Sequence, residues 1–272
     1  MTSKNKWLSA PYIFWSVVFI IVPLGMILYY GLTDRTGAFT LENITAIASA
    51  GHAKALRVSL LLSLVSTLVC FLLAYPLSMI LASVQVKRHN FIILVFILPM
   101  WMNFLLRTLA WQTLLEKTGV INQLLSFLHL PALKIINTPA AIILGMVYNF
   151  LPFMVLPLYN ALAKIDSNVI NAAHDLGANN FYTFFRIILP LSVPGIISGV
   201  TMVFIPALTT FVISALLGGG KLLLIGDVIE QEFTRTSNWH LGSGLSMVLM
   251  IFILINMVLS AIFDKDGEGS ML

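Results

Sequence analysis

Long apolar segments alternate with shorter polar ones along the whole chain. An α-helix needs about 20 consecutive apolar residues to cross a bilayer, and segments near that length occur six times. They cover residues 11–30, 56–84, 91–115, 139–163, 190–217 and 244–263. The pattern predicts an all-α, polytopic membrane protein with six transmembrane helices, arranged as a single transmembrane domain over residues 1–272. The second and fifth segments are long enough to tilt or to protrude from the bilayer.

The composition favours a membrane protein over a soluble one. Hydrophobic residues make up 59% of the chain and charged residues 10%, whereas a soluble domain typically carries about 25% charged residues. The net charge of +4 is spread over the loops without the basic stripe that would indicate nucleic-acid binding. The single cysteine, Cys70, lies inside an apolar segment and excludes an intrachain disulfide.

The first apolar segment is interpreted as a retained span rather than a signal peptide. It runs for about 20 residues, longer than a signal-peptide core, and no A-x-A-like cleavage site follows it. The positive-inside rule does not decide the orientation, because the two sets of loops carry seven basic residues each.

The polar loop at residues 166–189 predicts a short helix that ends at a glycine. Asp166 or Ser167 can cap its first turn, and Gly177 stands where a glycine commonly follows a helix end. One face would hold Ile170, Ala173 and Leu176, and the polar side Asn168, Asn171, His174 and Asp175. The alternative, a helix resting in the lipid headgroups, would favour lysine and arginine, and none occurs between Lys164 and Arg186. Small and polar groups suit a protein groove better.

A second helix is expected after the glycine. Asn179 or Asn180 can cap it, and its apolar stripe at helical spacing would be Phe181, Phe184, Phe185 and Ile188. Pro190 stops this helix and can occupy the first turn of the next span, where its missing N–H has no cost.

The loop resembles the cytoplasmic loop of the inner-membrane subunits of ABC importers. That family pattern is E-A-A, three residues, G, nine residues, and I-x-L-P. The matching residues here are Asn171, Ala172, Ala173, Asp175, Gly177, Ala178, Ile187, Leu189 and Pro190. Asn171 stands where the family usually has glutamate, which removes a charge from that position.

The resemblance implies a type I, MetI-like ABC importer permease in a bacterial inner or plasma membrane. Within it, residues 166–189 would form a coupling-helix loop that docks on a separate ATPase subunit. The implied coupling residues are Asn171, Ala172, Ala173, Asp175, Gly177 and Ala178. A cytoplasmic loop at this position also implies that the N- and C-termini are cytoplasmic.

No catalytic pattern accompanies this loop, so the chain is predicted to be a non-enzymatic subunit. The nearest match to the phosphate-binding G-x-x-x-x-G-K-[ST] motif has Ala215 at its first glycine and Leu222 in place of the hydroxyl. The histidines lie far apart in predicted loops, at His52, His89, His129, His174 and His240. We therefore expect no metal site and no cofactor, and ATP hydrolysis in a partner subunit.

Three further segments resemble the PotB-type permease of spermidine/putrescine importers. They are ILPMWMNFLLRTLAWQTLL, TPAAIILGMVYNFLPFMVLPLYNAL and LLGGGKLLLIGDVIEQEF. This resemblance implies polyamine transport, a homologous second permease, a dimeric ATPase and an extracytoplasmic substrate-binding protein. The alternatives are an importer of iron or amino acids, an ion-driven secondary transporter, or a membrane scaffold. A secondary transporter would favour ionisable residues deep in its spans, and only Arg107 comes near this description.

A polyamine path would favour aromatic rings, since a ring attracts a cation by about 0.5–2 kcal/mol. The candidates at suitable predicted depth are Trp101, Asn103, Trp111, Tyr148 and Asn149. Each aromatic ring can equally pack against a neighbouring helix, whereas an amide at depth needs a partner or a wet cavity. Arg107 is expected near the interface, where it can snorkel or form an ion pair. If it faces the transport path instead, it would repel a polyamine.

An acidic cluster of Asp227, Glu230 and Glu232, with Trp239 nearby, is predicted outside the membrane. It could collect a cation or contact the binding protein, and a solvated acidic loop is the alternative. Three prolines inside predicted spans can kink them, namely Pro152, Pro157 and Pro206.

Overall fold

The computed structural model describes residues 10–83 and 98–268, and these are almost entirely helical. The helices are α1 Ala10–Ser16, α2 Val22–Leu32, α3 Glu42–Thr45, α4 Ala50–Ser83, α5 Phe104–Leu115, α6 Val120–Phe127, α7 Pro139–Leu162, α8 Ser167–Asp175, α9 Asn180–Thr183, α10 Leu189–Leu191, α11 Val193–Thr209, α12 Val212–Leu217, α13 Ile225–Thr234 and α14 Trp239–Glu268. Two π-helical turns, Val17–Ile21 and Phe184–Ile188, join helices without a break. Extended pairing within the described ranges is limited to one bridge between Thr33 and Phe39.

Four helices are long and apolar enough to cross a membrane, and a bent pair can form a fifth span. The four are Pro11–Leu32, Ala50–Ala82, Pro139–Leu162 and Trp239–Val258. The bent pair joins Asn180–Leu191 to Val193–Thr209 at 63°. The predicted all-helical, multi-pass architecture is confirmed, with up to five spans in the described part of the chain.

The third predicted span, 91–115, lies partly outside the described residues. From Leu98 onward it consists of a 3₁₀ turn, Leu98–Trp101, and then α5, which begins after Asn103. The described part of this segment is therefore broken rather than continuous, because Asn103 has the non-helical conformation of a helix cap. The prediction of a sixth span stays a prediction.

The fifth predicted span, 190–217, is not a single helix in the structure. Helix α11 ends at Thr209, Thr210 is extended with ψ of 141°, and α12 is a separate helix. Residues 209–212 are all β-branched or aromatic, and such residues have low helix propensity. A run of them makes this a weak point for a continuous helix.

Helix α4 packs against α7 through a face of small residues. The buried small residues of α4 include Ser59, Ser63, Ser66, Cys70, Ala74 and Ser78. The Ser78 hydroxyl donates to the Val155 carbonyl at 3.2 Å, and the Ser66 hydroxyl lies 3.3 Å from the Met146 sulfur. Small hydroxyl side chains let membrane helices approach closely while their polar atoms find partners across the contact.

Helices α7 and α11 pack even more closely. A Cβ added at Gly195 would lie 2.5 Å from the Cβ of Ala161, and one added at Gly199 would lie 2.7 Å from the sulfur of Met154. Glycines four residues apart on one helix face are a recurrent way to bring two membrane helices into backbone contact. Pro152, Pro157 and Pro206 lie inside these two helices.

Within the described residues, the chain divides into two compact units. One comprises residues 10–54 and 228–252, and the other comprises residues 55–83, 98–227 and 253–268. In the first unit, the side-chain amide of Asn43 donates to the Thr33 carbonyl at 2.9 Å, and His240 Nδ1 lies 2.7 Å from the same oxygen. These bonds tie the end of α2 to the start of α14. The interpretation of residues 1–272 as one transmembrane domain stays a prediction.

Candidate functional site

The 166–189 loop begins with a helix capped by a side chain. Helix α8 starts after Asp166, whose Oδ1 accepts the N–H of Asn168 at 2.9 Å. This bond satisfies one of the amide groups that the first turn of a helix leaves unpaired. Of the two predicted caps, Asp166 is the one the structure uses.

Helix α8 ends in a glycine turn, as the sequence predicted. Gly177 has φ of +86°, a conformation with little cost only for glycine. Its N–H donates to the His174 carbonyl at 2.9 Å, and the N–H of Ala178 donates to the Ala173 carbonyl at 3.0 Å. This pair of bonds is the Schellman motif, which closes the last turn of a helix.

The second helix of the loop is capped by Asn179, whose Oδ1 accepts the N–H of Tyr182 at 2.8 Å. The prediction that Pro190 stops this helix is wrong. The helix continues through Pro190 to Leu191. In the π turn just before the proline, the N–H of Leu189 donates to the Phe184 carbonyl, five residues earlier. We call the whole helix Asn180–Leu191 the arm helix.

Most of the predicted coupling residues are exposed. Asn171, Ala172, Asp175 and Gly177 are exposed and Ala178 is half-buried, whereas Ala173 is buried against the protein. The predicted apolar face of α8 is wrong at one position. Leu176 is 89% exposed, because the helix ends at Asp175 and the next residue leaves its face.

The aromatic stripe of the arm helix is divided between the core and the surface. Phe184 and Ile188 pack against the hydrophobic core, whereas Phe181 is 73% exposed. Phe185 is also exposed, and its ring lies 4.6 Å from that of Phe181. Together with Leu176, these two rings leave apolar surface uncovered on the loop.

Of the predicted pathway residues, Trp111 and Tyr148 are the pair whose rings meet. The ring centroids lie 5.3 Å apart in an edge-to-face arrangement. Asn149, the next residue, is 1% exposed, and its Nδ2 donates to the Gly145 carbonyl at 2.9 Å. Its Oδ1 is buried and meets no hydrogen-bond donor among the described residues.

The other two pathway residues lie at the break before α5. Trp101 is 75% exposed. Asn103 is exposed and caps α5, with its Oδ1 accepting the N–H groups of Leu105 and Leu106 at 2.8 and 3.3 Å. Its amide therefore has a local structural partner. Arg107 is 8% exposed and covered by protein, so the snorkelling alternative is wrong.

The predicted acidic cluster is not a set of three exposed carboxylates. Asp227 is 4% exposed, and its Oδ2 accepts the N–H of Leu224 at 2.8 Å, which closes the first turn of α13. Glu230 and Glu232 are half-buried, and each accepts a threonine hydroxyl four residues further on, at 2.9 and 2.7 Å. Asp227 therefore caps a helix from a buried position, which the interpretation of this cluster as a solvated acidic loop did not predict.

Trp239, also predicted near this cluster, packs in an aromatic group. Its ring lies 5.5 Å from that of Phe233 and 6.2 Å from that of Tyr30. With Arg35 and His240 it lines a cavity of about 400 Å³.

An apolar cleft of about 310 Å³ contains residues that the sequence analysis did not select. Its lining is Leu64, Thr67, Leu68, Phe71, Ile196, Val200, Phe204 and Asn256. The Oδ1 of Asn256 is buried and has no hydrogen-bond partner among the described residues. An isolated amide in the last apolar span was the signal that could have pointed here, because a polar group in such a segment needs a partner.

The matched sequence family spans most of the chain, including the 166–189 loop. Residues 44–265 match the profile described as binding-protein-dependent transport system inner membrane component. The chain belongs to this family. The resemblance inferred from the loop motif is therefore confirmed, and the chain is an ABC importer permease component.

Two polyamine-transport permeases are similar to this chain over most of their length. It is 37% identical over 269 residues to the spermidine/putrescine transport system permease protein PotB of Haemophilus influenzae, covering 93% of this chain and 94% of that protein. It is 38% identical over 245 residues to PotB of Escherichia coli strain K12, covering 87% and 89% of the two chains. The predicted PotB-type resemblance is confirmed.

Solved structures share the fold. A chain of the bacterial alginate ABC transporter in complex with its alginate pentasaccharide-bound periplasmic protein superimposes with a TM-score of 0.78. It is 18% identical, with 94% of this chain and 93% of that chain covered. The MetNI methionine ABC transporter matches with a TM-score of 0.56 at 16% identity, covering 79% and 95%. The fold is that of the type I ABC importer permeases.

Proposed function

We propose that this chain is the permease subunit of an ATP-driven importer of polyamines such as spermidine and putrescine. It forms half of the translocation path and receives its energy from a separate ATPase. The observation that carries the coupling role is the exposed 166–189 loop, with its capped helices and glycine turn at the family spacing. The polyamine substrate is supported by the identity to PotB permeases.

The 166–189 loop docks into a cleft of a dimeric ATPase on the cytoplasmic side. Its exposed small and polar residues, Asn171, Ala172 and Asp175, allow close approach of the partner. The uncovered apolar residues Leu176 and Phe181 supply area that becomes buried on docking. With the predicted six spans, four before this cytoplasmic loop and two after it, both chain termini are cytoplasmic as well.

The substrate path uses aromatic rings and amide oxygens, which attract an ammonium ion weakly enough for it to be released. Trp111 and Tyr148 present aromatic faces, and the unpartnered Oδ1 of Asn149 is an acceptor. The cleft beside Phe71 and Asn256 offers the same two kinds of group. A homologous second permease lines the other half of the path, and Glu230 and Glu232 face the extracytoplasmic binding protein.

Transport by the assembled complex tests this function. The two permeases, the ATPase and the binding protein are reconstituted in proteoliposomes, and uptake of labelled spermidine is followed with and without ATP. We expect ATP-dependent accumulation that unlabelled putrescine inhibits and that ferric iron or amino acids do not. Accumulation by the permease alone, driven by an ion gradient, would instead establish the secondary-transporter alternative.

The coupling role has a separate test in Gly177→Pro. Proline holds φ near −65°, so the turn at Gly177, with φ of +86°, cannot form. We expect the variant to lose co-purification with the ATPase. The matched control is Gly37→Pro, which places the same strain at another exposed glycine with φ of +83°. Equal loss in both variants, or in neither, would contradict the coupling role of this loop.

A further inference from the structure

A buried hydrogen bond joins α4 to the end of the arm helix. The hydroxyl of Tyr75 lies 2.8 Å from the Oγ of Ser192, and the two residues are 5% and 0% exposed. The Ser192 hydroxyl donates to the Leu189 carbonyl at 2.9 Å. Because serine has a single hydroxyl hydrogen, Tyr75 must be the donor to Ser192.

Ser192 occupies the bend between the arm helix and the span that follows. It is the single residue between Leu191 and Val193, where the two helices meet at 63°. Prolines stand two residues before and two residues after it, at Pro190 and Pro194. Since proline cannot donate a backbone hydrogen bond, the helical bonding is weakened on both sides of the bend. The N–H of Ser192 still donates to the Ile188 carbonyl at 3.0 Å, and its carbonyl accepts the N–H of Ile196 at 3.0 Å. The side-chain bond to Tyr75 adds a tie to α4 at this bend.

The ring of Tyr75 contacts the arm helix at a second place. It packs edge to face against Phe184, the first residue of the π turn, with ring centroids 5.7 Å apart. Tyr75 is also followed by Pro76, which interrupts the hydrogen bonding of α4 at the same level. One side chain of α4 thus contacts the arm helix at its π turn and at its end.

We infer that Tyr75 is a positioning residue that makes α4 follow the movement of the arm helix. This inference rests on the proposed coupling function. When the ATPase displaces the 166–189 loop, the arm helix turns about Ser192, and the bond from Tyr75 carries α4 with it. Without that bond, the arm helix can move while α4 lags behind, so that ATP is hydrolysed with less transport.

The test compares Tyr75→Phe, Ser192→Ala and the double variant in the reconstituted complex. Each removes the hydrogen bond with little change in volume. We expect spermidine imported per ATP hydrolysed to fall about threefold to tenfold, the size expected for loss of one hydrogen bond, with ATPase binding retained. The double variant should be no worse than the single ones. Tyr12→Phe, at a 70% exposed tyrosine, is the control and should keep the wild-type ratio.

An unchanged transport ratio in Tyr75→Phe, or losses that multiply in the double variant, would overturn the inference. Loss of ATPase binding in Tyr75→Phe would overturn it too, because the effect would then be structural.

A measurement on the isolated permease separates this inference from the proposed function. Spin labels replace the exposed Leu73 on α4 and Tyr182 on the arm helix in a Cys70→Ser background. The distribution of distances between the labels should broaden in Tyr75→Phe. An unchanged distribution overturns the role of Tyr75 whatever the ATPase does. A broadened distribution, together with normal ATPase binding by Gly177→Pro, supports the bond and contradicts the coupling function.

Discussion

Gly195 of α11 lies directly against Ala161 of α7, and the contact leaves no room for a side chain at position 195. A Cβ at Gly195 would lie 2.5 Å from the Cβ of Ala161 and 2.8 Å from the Pro157 carbonyl oxygen. The span that leaves the bend at Ser192 is therefore held against its neighbour within one helical turn.

Gly195→Leu should destabilise the permease. The added side chain must push α7 and α11 apart, and overpacking of this kind typically costs about 1–3 kcal/mol. Thermal unfolding in detergent should show a midpoint several degrees lower. Gly25→Leu is the control, because a Cβ at Gly25 has no atom within 4 Å. Equal midpoints for the two variants would show that the close contact does not contribute.

Asp227→Ala should also destabilise the protein, whereas Glu230→Ala should not. Removing the Asp227 carboxylate leaves the buried N–H of Leu224 unpaired, at a cost of about 1–3 kcal/mol. Among the described residues, the half-buried Glu230 side chain accepts from Thr234 in its own helix, and its loss should change stability by less than about 0.5 kcal/mol. The unfolding midpoints of both variants test the difference, and a reversed order would contradict the buried cap.

Asn149→Leu should separate stability from transport. The buried Oδ1 of Asn149 has no partner among the described residues, so its replacement by an apolar side chain of similar size should leave the unfolding midpoint unchanged or raise it. Spermidine uptake should nevertheless fall, because the path loses an acceptor. A lower midpoint with normal uptake would assign Asn149 to the fold alone.

Trp111→Leu should raise the KM for spermidine. Loss of an aromatic face that attracts a cation weakens binding by about 0.5–2 kcal/mol, which corresponds to roughly a twofold to thirtyfold change. Trp111→Phe retains an aromatic face and should fall between the variant and the wild type. Equal changes in KM for both substitutions, or no change in either, would contradict a cation-attracting role for the Trp111 ring. Its contact with Tyr148 would then be packing alone.

Local features of the 166–189 loop could be predicted because their partners are close in sequence. Asp166 bonds the amide two residues on, Asn179 the amide three residues on, and Gly177 closes a turn within six residues. Such bonds depend on residue type and spacing alone. The incorrect prediction at Pro190 involves a contact between residues that are distant in sequence. The π turn that precedes Pro190 packs on Tyr75, more than a hundred positions earlier in the chain.

Sequence alone determined that this chain is a multi-pass helical protein with a hinged polar loop, because long apolar segments, caps and glycine turns are local properties. Only the tertiary structure decided which polar groups are buried. Asp227 and Arg107 are covered by protein, Asn103 caps a helix, and Tyr75 bonds Ser192 across 117 positions. The reason is physical. Apolar residues face both lipid and protein in a membrane, so hydrophobic pattern does not reveal which face of a helix meets its neighbours.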